Sequence, residues 1–277
     1  MPKVCYLGPE GTFSHILARK KFGARAELVA CPTFEAIFER VREEPGTLGL
    51  APIENSSGGT VYDSVDLLIR NAGQIFIREE LALDVRIGLL GHKATGITTV
   101  YSHFVQIKHH ADWLKARYPR ARLVEVSSTA VAAQKAAASR QAAALASPGA
   151  AEIYGLKMLE MPSVGPAVNV THFFVIGTNP PDAPPGTAKK KTGLVATLPN
   201  VCGSLHQFLG PFARQKVSLS RIVSRPVPGQ PQTYVFFVEI EGGPDEAPVA
   251  AALARAGILA ENLDLLGTYR AGRRFKS

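Results

Sequence analysis

Residues 3–14, KVCYLGPEGTFS, decide how this chain is read: a strand-like apolar run meets a glycine turn, and a hydroxyl residue stands where a helix would begin. Similar strand-like runs at 27–30 (ELVA), 47–53 (TLGLAPI) and 81–91 (LALDVRIGLLG) alternate with helical patterns, which indicates an α/β fold. In the last run Leu81, Leu83, Val85, Ile87 and Leu89 share one face, against Ala82, Asp84, Arg86 and Gly88 on the other, so one long half-buried strand is expected. Thr12, Thr33, Thr60 and Ser102 each precede an apolar or aromatic helix start and are expected as N-caps. Three of these follow strands through LGPEGT, IENSSGGT and VYSH, which would gather helix N-termini at strand ends, a setting that suits an anion. Hydroxyls that only satisfy backbone donors would read the same way.

The stretch TNPPDAPPGTAKKK, 178–191, is the clearest boundary, with four prolines and a lysine run. It divides the chain into domains at 1–180 and 192–277, joined by a linker at 181–191. Beyond it, strand-like runs at 193–199, 218–227, 233–242 and 262–269 and helical patterns at 203–215 and 245–257 give the order β-α-β-β-α-β, which is ferredoxin-like. In the third of these strands Val235, Phe237 and Glu239 alternate with Phe236, Val238 and Ile240, so one face is apolar and the other mixed.

With 277 residues, 46% hydrophobic and 19% charged, the chain fits a soluble globular protein and excludes fibrous and wholly disordered classes. Its apolar runs fall far short of the roughly 20 residues that span a bilayer. The N-terminus lacks a signal-peptide pattern, so a cytoplasmic location is expected. Cys5, Cys31 and Cys202 form no C-x-x-C pair and are expected to be buried reduced thiols. Most of the net charge of +8 lies after Thr187, in Lys189–Lys191 and Arg270–Lys276. Solvated linker and tail charge accounts for it, and a small anionic substrate is compatible with it.

Among the motifs, GPEGTFS (8–14) lacks a Walker lysine and dinucleotide spacing. APIENSSGGTV (51–61) sets a carboxylate, an amide and two hydroxyls before two glycines, as a polar ligand clamp or an elaborate turn. His103, His109 and His110 lack metal-site spacing, and no nucleophile elbow occurs. NVTHFFVIG (169–177) opens an apolar run with Asn169, Thr171 and His172. A threonine facing a cleft there could donate a hydrogen bond or act as a weak acid, although a strand threonine is commonly structural.

Together LGPEGTFS, APIENSSGGTV, VYSH, SSTA (127–130) and NVTHF resemble, in order, the motifs of the prephenate dehydratase family. CGSLHQFLGPFARQKVSLSRIVSRP and LLGTYRA resemble its regulatory ACT domain. The resemblance implies a two-lobed, periplasmic-binding-protein-like catalytic domain plus an ACT domain, in a homodimer or homotetramer. It implies decarboxylative dehydration of prephenate to phenylpyruvate for phenylalanine biosynthesis, without metal or organic cofactor and without nucleic-acid or membrane partners. By the same resemblance Thr171 donates to the leaving hydroxyl, while Thr12, Asn55, Ser56, Ser102, Thr129, Asn169 and His172 contact substrate. Gly203, Ser204, Leu205, Ser224, Arg225 and Pro226 stand where the family binds L-phenylalanine.

The chain departs from the family in three places. His172 replaces the usual arginine, exchanging a permanent bidentate carboxylate ligand for a titratable one. His109 stands at a position usually held by an amide. The two ACT segments match only partly, so phenylalanine feedback is expected to be weakened or altered. A relative acting on arogenate, or decarboxylating prephenate without aromatisation, is the alternative that His172 motivates; a non-catalytic ligand-binding protein is the other.

Overall fold

The computed structural model describes residues 1–162, 169–181, 184, 189–227, 229–230 and 232–277. Six residues of the expected linker, 182–183 and 185–188, therefore lie outside the described residues.

Among the described residues three sheets form. The first runs in the order β16 (Arg273–Lys276), β5 (Phe76–Asp84), β11 (Val170–Gly177), β3 (Leu48–Asn55), β1 (Lys3–Leu7), β2 (Glu27–Cys31), with β4 (Gly59–Thr60) folded onto β3. It is served by α1 (Phe13–Phe22), α2 (Phe34–Glu43) and α3 (Tyr62–Arg70). The second runs β10 (Lys157–Glu160), β6 (Gly88–Gly91), β9 (Ala142–Ala146), β7 (Thr99–Ser102), β8 (Arg122–Glu125), accompanied by α4 (Phe104–His109), α5 (Ala111–Arg117), α6 (Thr129–Ala137) and α7 (Gly149–Ile153). The third runs β13 (Leu219–Pro226), β14 (Tyr234–Glu241), β12 (Lys190–Thr197), β15 (Asn262–Arg270), with α8 (Ser204–Arg214) and α9 (Ala247–Leu259). All its pairings are antiparallel, and its chain order is the β-α-β-β-α-β read from the sequence.

The expected long strand at 81–91 is two strands in different sheets. β5 ends at Asp84 in the first sheet and β6 starts at Gly88 in the second, so 85–87 carry the chain between lobes. Period-two alternation of the sequence continues through the crossing although β6 is buried on both faces, and periodicity alone does not reveal a change of sheet. The chain returns beside its exit, where the Val85 amide donates to the Asn169 carbonyl at 2.8 Å. β11 then pairs antiparallel with both β3 and β5.

Two expected caps hold: Thr12 Oγ1 accepts from the His15 amide and Thr33 Oγ1 from the Ala36 amide. Two do not. Thr60 lies in β4 opposite Glu54, and α3 starts two residues later; Ser102 ends β7, and His103 caps α4 instead. Cys5 and Cys31 are buried, but Cys202 is exposed in the turn before α8.

The third sheet is covered on both faces. Leu194, Phe236, Val238 and Ile240 pack on Phe208, Phe212, Val249 and Leu253. The opposite face sets Val195, Val223, Phe237, Leu266 and Tyr269 against Ile53, Phe174 and Ile176 of the first lobe. The mixed face of β14 is thus an interface, and its Glu239 is fully buried. Four donors meet that carboxylate: Arg221 Nη1 (3.0 Å), Lys191 Nζ (2.7 Å), the Tyr269 hydroxyl (2.7 Å) and the Ser220 hydroxyl. Lys191 also reaches Glu80 Oε2 at 2.9 Å; Glu80 in turn takes the Gly272 amide (3.0 Å) and pairs with His172 Nδ1 (3.1 Å).

The basic clusters expected to be solvated are therefore partly structural. Lys191 is drawn into this interface by two buried carboxylates, and the C-terminal residues form β16, where Arg274 binds Asp84 at 2.6 Å.

Burial opposes ionisation of Glu80, but the hydrogen bonds from His172 and Lys191 and the Lys191 charge outweigh it and hold its carboxyl at about 2, below the ordinary 4.5. A depressed carboxylate contributes stability above its unfolded pKa and loses it as pH falls towards the folded one. Glu80→Gln should therefore be less stable than the parent by about 3 kcal/mol near neutral pH. That gap should narrow as pH falls from 4.5 towards 2, measured by denaturant unfolding at several pH values; a constant gap would contradict the assignment.

Candidate active site

The β11–β3 register places Thr171 opposite Asn55 and His172 opposite Glu54. Asn55 Nδ2 donates to Thr171 Oγ1 at 2.8 Å and to Asn169 Oδ1 at 2.6 Å. Its Oδ1 accepts the backbone N–H groups of Ser57 (2.9 Å) and Gly58 (2.8 Å). Because a backbone N–H can only donate, the oxygen of Asn55 must face the turn and its NH2 group must face Thr171. Thr171 Oγ1 is then an acceptor towards Asn55, leaving its own proton for another group.

Asn55 and Thr171 line a cavity of about 370 Å3 between the two lobes. Two well-formed helices start on it. α1 is capped by Thr12, whose hydroxyl also donates to the Leu7 carbonyl (2.8 Å), and α6 is capped by Ser128, which accepts from the Val131 amide (3.1 Å). Their positive ends, one from each lobe, favour an anion in the cleft. Among the described residues lining it there is no lysine, arginine or carboxylate; the titratable ones are His103 and His109. Burial lowers the His103 pKa, with Glu125 opposing, which favours a neutral imidazole. Phe13 and Phe173 supply aromatic wall.

Of the residues expected to meet substrate, Thr12, Asn55, Thr129, Asn169 and Thr171 line this cavity and three do not. Ser56 instead accepts the Val170 amide on its hydroxyl at 3.0 Å, and Ser57 takes the lining position. Ser102 is fully buried, donating to the Leu145 carbonyl at 2.7 Å to tie β7 to β9. His172 points away from the cleft: strand alternation turns it to the opposite face, where it binds Glu80 and borders a separate cavity of about 660 Å3 with Lys189 and Glu246. Its replacement of an arginine thus bears on the interface with the third sheet.

The six residues expected to hold an effector are divided in the same way. Gly203, Ser204 and Leu205 line a cavity of about 240 Å3 with Tyr234 and Phe236. Ser224, Arg225 and Pro226 do not; Arg225 forms a bidentate pair with Asp66 (2.5 and 2.7 Å) and lies 4.8 Å above the Tyr62 ring.

Sequence reasoning missed Ser57, Gly58, Gln106, Ser127, Ser128, Phe173 and the two lining histidines as cleft residues. Two signals were available. Ser128 precedes the helix of the SSTA motif as a cap, and the period of two along β11 pairs Phe173 with Thr171 while excluding His172.

The family model for prephenate dehydratase matches residues 4–181. A bifunctional chorismate mutase/prephenate dehydratase of Neisseria gonorrhoeae is 35% identical over 96% of this chain and 74% of its own length. The structure of a prephenate dehydratase from Arthrobacter aurescens in complex with L-Phe is 30% identical, with a TM-score of 0.85 over 97% of this chain and 90% of that one. A structure described as GqqA, a novel type of quorum quenching acylase, is 26% identical, with a TM-score of 0.87 over 97% of each chain.

The lobes also touch at the mouth of α1. Tyr154 donates its hydroxyl to the Glu10 carbonyl at 2.6 Å, and Gly11, at φ +85°, lies so close that an added Cβ would stand 2.8 Å from the Tyr154 ring. Gly73, at φ +80°, has open space around it. Gly73→Ala should therefore cost only the left-handed backbone, about 1 kcal/mol, whereas Gly11→Ala should cost about 1–3 kcal/mol more from the clash. Equal losses in denaturant unfolding would show that Tyr154 does not press on this loop.

Proposed function

The chain belongs to the prephenate dehydratase family, and from that premise we propose that the Asn55–Thr171 cleft carries out the decarboxylative dehydration of prephenate to phenylpyruvate. The activity is that of a carbon–oxygen lyase in aromatic amino acid biosynthesis. Prephenate carries a ring carboxylate, a pyruvyl carboxylate and, across the ring, a hydroxyl. The bond from ring to carboxylate breaks and carbon dioxide leaves. Its electron pair passes through the ring diene and expels the hydroxyl, which takes a proton and departs as water. Aromatisation makes the step strongly downhill, so the protein has to hold the dianion, orient it and assist the departing oxygen.

The observation that carries this reading is the Asn55 Nδ2 to Thr171 Oγ1 hydrogen bond at 2.8 Å, which leaves the threonine proton free to be donated. Thr171 hydrogen-bonds the leaving hydroxyl as charge grows on it and passes on a proton that is replenished from solvent. The N-termini of α1 and α6, with the Thr129 hydroxyl, receive the carboxylates; the Thr12 hydroxyl is committed to the Leu7 carbonyl and serves as the cap of α1. Phe13 and Phe173 pack the ring.

The family and the L-Phe of the Arthrobacter relative support L-phenylalanine as effector, with the Gly203–Leu205 cavity and the start of α8 as its site. The sequence break before β12 supports a catalytic unit of two lobes followed by an ACT unit, to which the strand order of the third sheet corresponds. Its last strand, β16, rejoins the first lobe. No described helix is long and apolar enough to cross a membrane. With the biosynthetic role, a cytoplasmic homo-oligomer is the natural setting.

The test is purified protein with prephenate at neutral pH, following phenylpyruvate by absorbance against an enzyme-free blank. Thr171→Ala should lower kcat by about 100-fold or more, and Thr171→Ser should retain most of it. No phenylpyruvate above the blank would overturn the reading, and full activity in Thr171→Ala would remove Thr171 from it. Consumption of prephenate without the aromatic product would favour the non-aromatising alternative.

A further inference from the structure

Asn55 and Thr171 face the cleft, while their chain neighbours Glu54 and His172 face the third sheet. Successive side chains on a strand point to opposite faces, so whatever fixes Glu54 also fixes the backbone from which Asn55 projects. That anchor is Arg221 of β13. Its Nε and Nη2 both donate to Glu54 Oε2, at 3.0 and 2.9 Å, and its Nη1 donates to the fully buried Glu239 at 3.0 Å. Its guanidinium lies 5.6 Å from the centre of the Phe174 ring, and only 8% of the side chain is exposed. Glu239 and Phe174 hold the arginine in place, and the arginine in turn holds Glu54.

We propose that Arg221 is a positioning residue for the dehydration, acting through Glu54 to keep the Asn55 amide aimed at the Thr171 hydroxyl. The proposal rests on the roles given above to Asn55 and Thr171. Asn55 has no slack: its oxygen is committed to two backbone amides and its nitrogen to Asn169 and Thr171. A small rotation of the β3 end therefore trades one of these bonds for another. The catalytic donor is thus set from the third sheet, outside the lobes that form the cleft. β13 also carries Ser224 and Arg225, so a displacement of this strand would be felt at Glu54.

A second ion pair crosses the same interface without reaching the cleft: Arg225 with Asp66 on α3. It separates positioning from mere docking of the sheet. Arg221→Gln should lower kcat about tenfold or more with KM for prephenate within about twofold, and Arg221→Lys should recover part of the loss. Glu54→Gln should resemble Arg221→Gln, and the double variant should be no worse than either, because the two act along one route. Asp66→Asn should leave kcat unchanged.

A readout independent of turnover is amide hydrogen exchange at Ser57 and Gly58, the two donors to Asn55 Oδ1. Exchange should quicken about fivefold or more in Arg221→Gln and stay at the parental rate in Asp66→Asn. Arg221→Gln with parental kcat and parental exchange would overturn the proposal. So would an Asp66→Asn variant that loses as much kcat, since docking alone would then explain the effect. If the parent protein makes no phenylpyruvate, the dehydratase reading fails by itself, and the exchange comparison still decides whether Arg221 positions Asn55.

Discussion

The antiparallel pairing of β11 with β3 is the constraint on which the rest of the structure depends. β11 is the strand by which the chain returns from the second lobe, and its register decides which side chains share a face. With Thr171 opposite Asn55, the cleft receives a hydroxyl held by an amide, and Phe173 lies along the same wall. The next face over receives His172 beside Glu54, and further along Phe174 reaches the apolar interface with the third sheet. A slip of one residue would exchange these sets, burying Thr171 among aromatic rings and exposing Phe174 in the cleft. The register shift between His172 and Phe173 lies where the strand passes from the polar end to the apolar core.

The interface with the third sheet combines two kinds of interaction with different consequences. Its apolar part, centred on Phe174, Phe237 and Tyr269, supplies non-directional attraction and tolerates small displacements. Its charged part does not. Buried Glu80 and Glu239 face Lys191 and Arg221, with the half-exposed Glu54 at the edge, and taking such buried charges from water costs several kcal/mol per ion unless donors and acceptors match. Glu239 meets this demand with four donors, including a tyrosine hydroxyl that burial, with the neighbouring Glu239 charge, keeps protonated. A sheet displaced by one residue would leave buried carboxylates unpaired. The ionic cluster therefore adds little net attraction but defines a single docking position, and the geometry of Glu54 depends on that position.

The sequence was most informative where one period governs an element. The six elements of the third sheet follow from alternation and helical spacing, and Thr12 and Thr33 could be read as caps because each precedes a simple helix start. It was least informative where a side chain's role depends on a distant strand. Nothing local distinguishes Ser102, tied to Leu145, from Thr129 at the cleft, since each is a hydroxyl at the junction of strand and helix. The change of sheet after Asp84 left no mark on the apolar pattern. The ionic interface did leave one: Glu239, a lone glutamate within the apolar run VFFVEI, which desolvation permits only with partners. His172 illustrates the opposite error, because its position in the motif suggested a substrate contact while strand alternation already assigned it to the other face.

The lack of arginine and lysine among the described residues lining the cleft accords with the chemistry proposed for it. Prephenate enters with a charged ring carboxylate and loses it as neutral carbon dioxide, so charge moves away from that group as the barrier is climbed. A guanidinium bound bidentately there would stabilise the substrate more than the transition state and slow the step. Helix N-termini and hydroxyls grip a carboxylate more loosely, and they release it at less cost. At the opposite side of the ring negative charge grows on the departing oxygen, and there a rigid donor is useful. In the proposed reaction Thr171 is that donor, fixed by an amide whose own oxygen is fixed by two backbone N–H groups. Rigidity at the oxygen that gains charge, and a looser grip on the carboxylate that loses it, is the distribution that favours the transition state over the bound dianion.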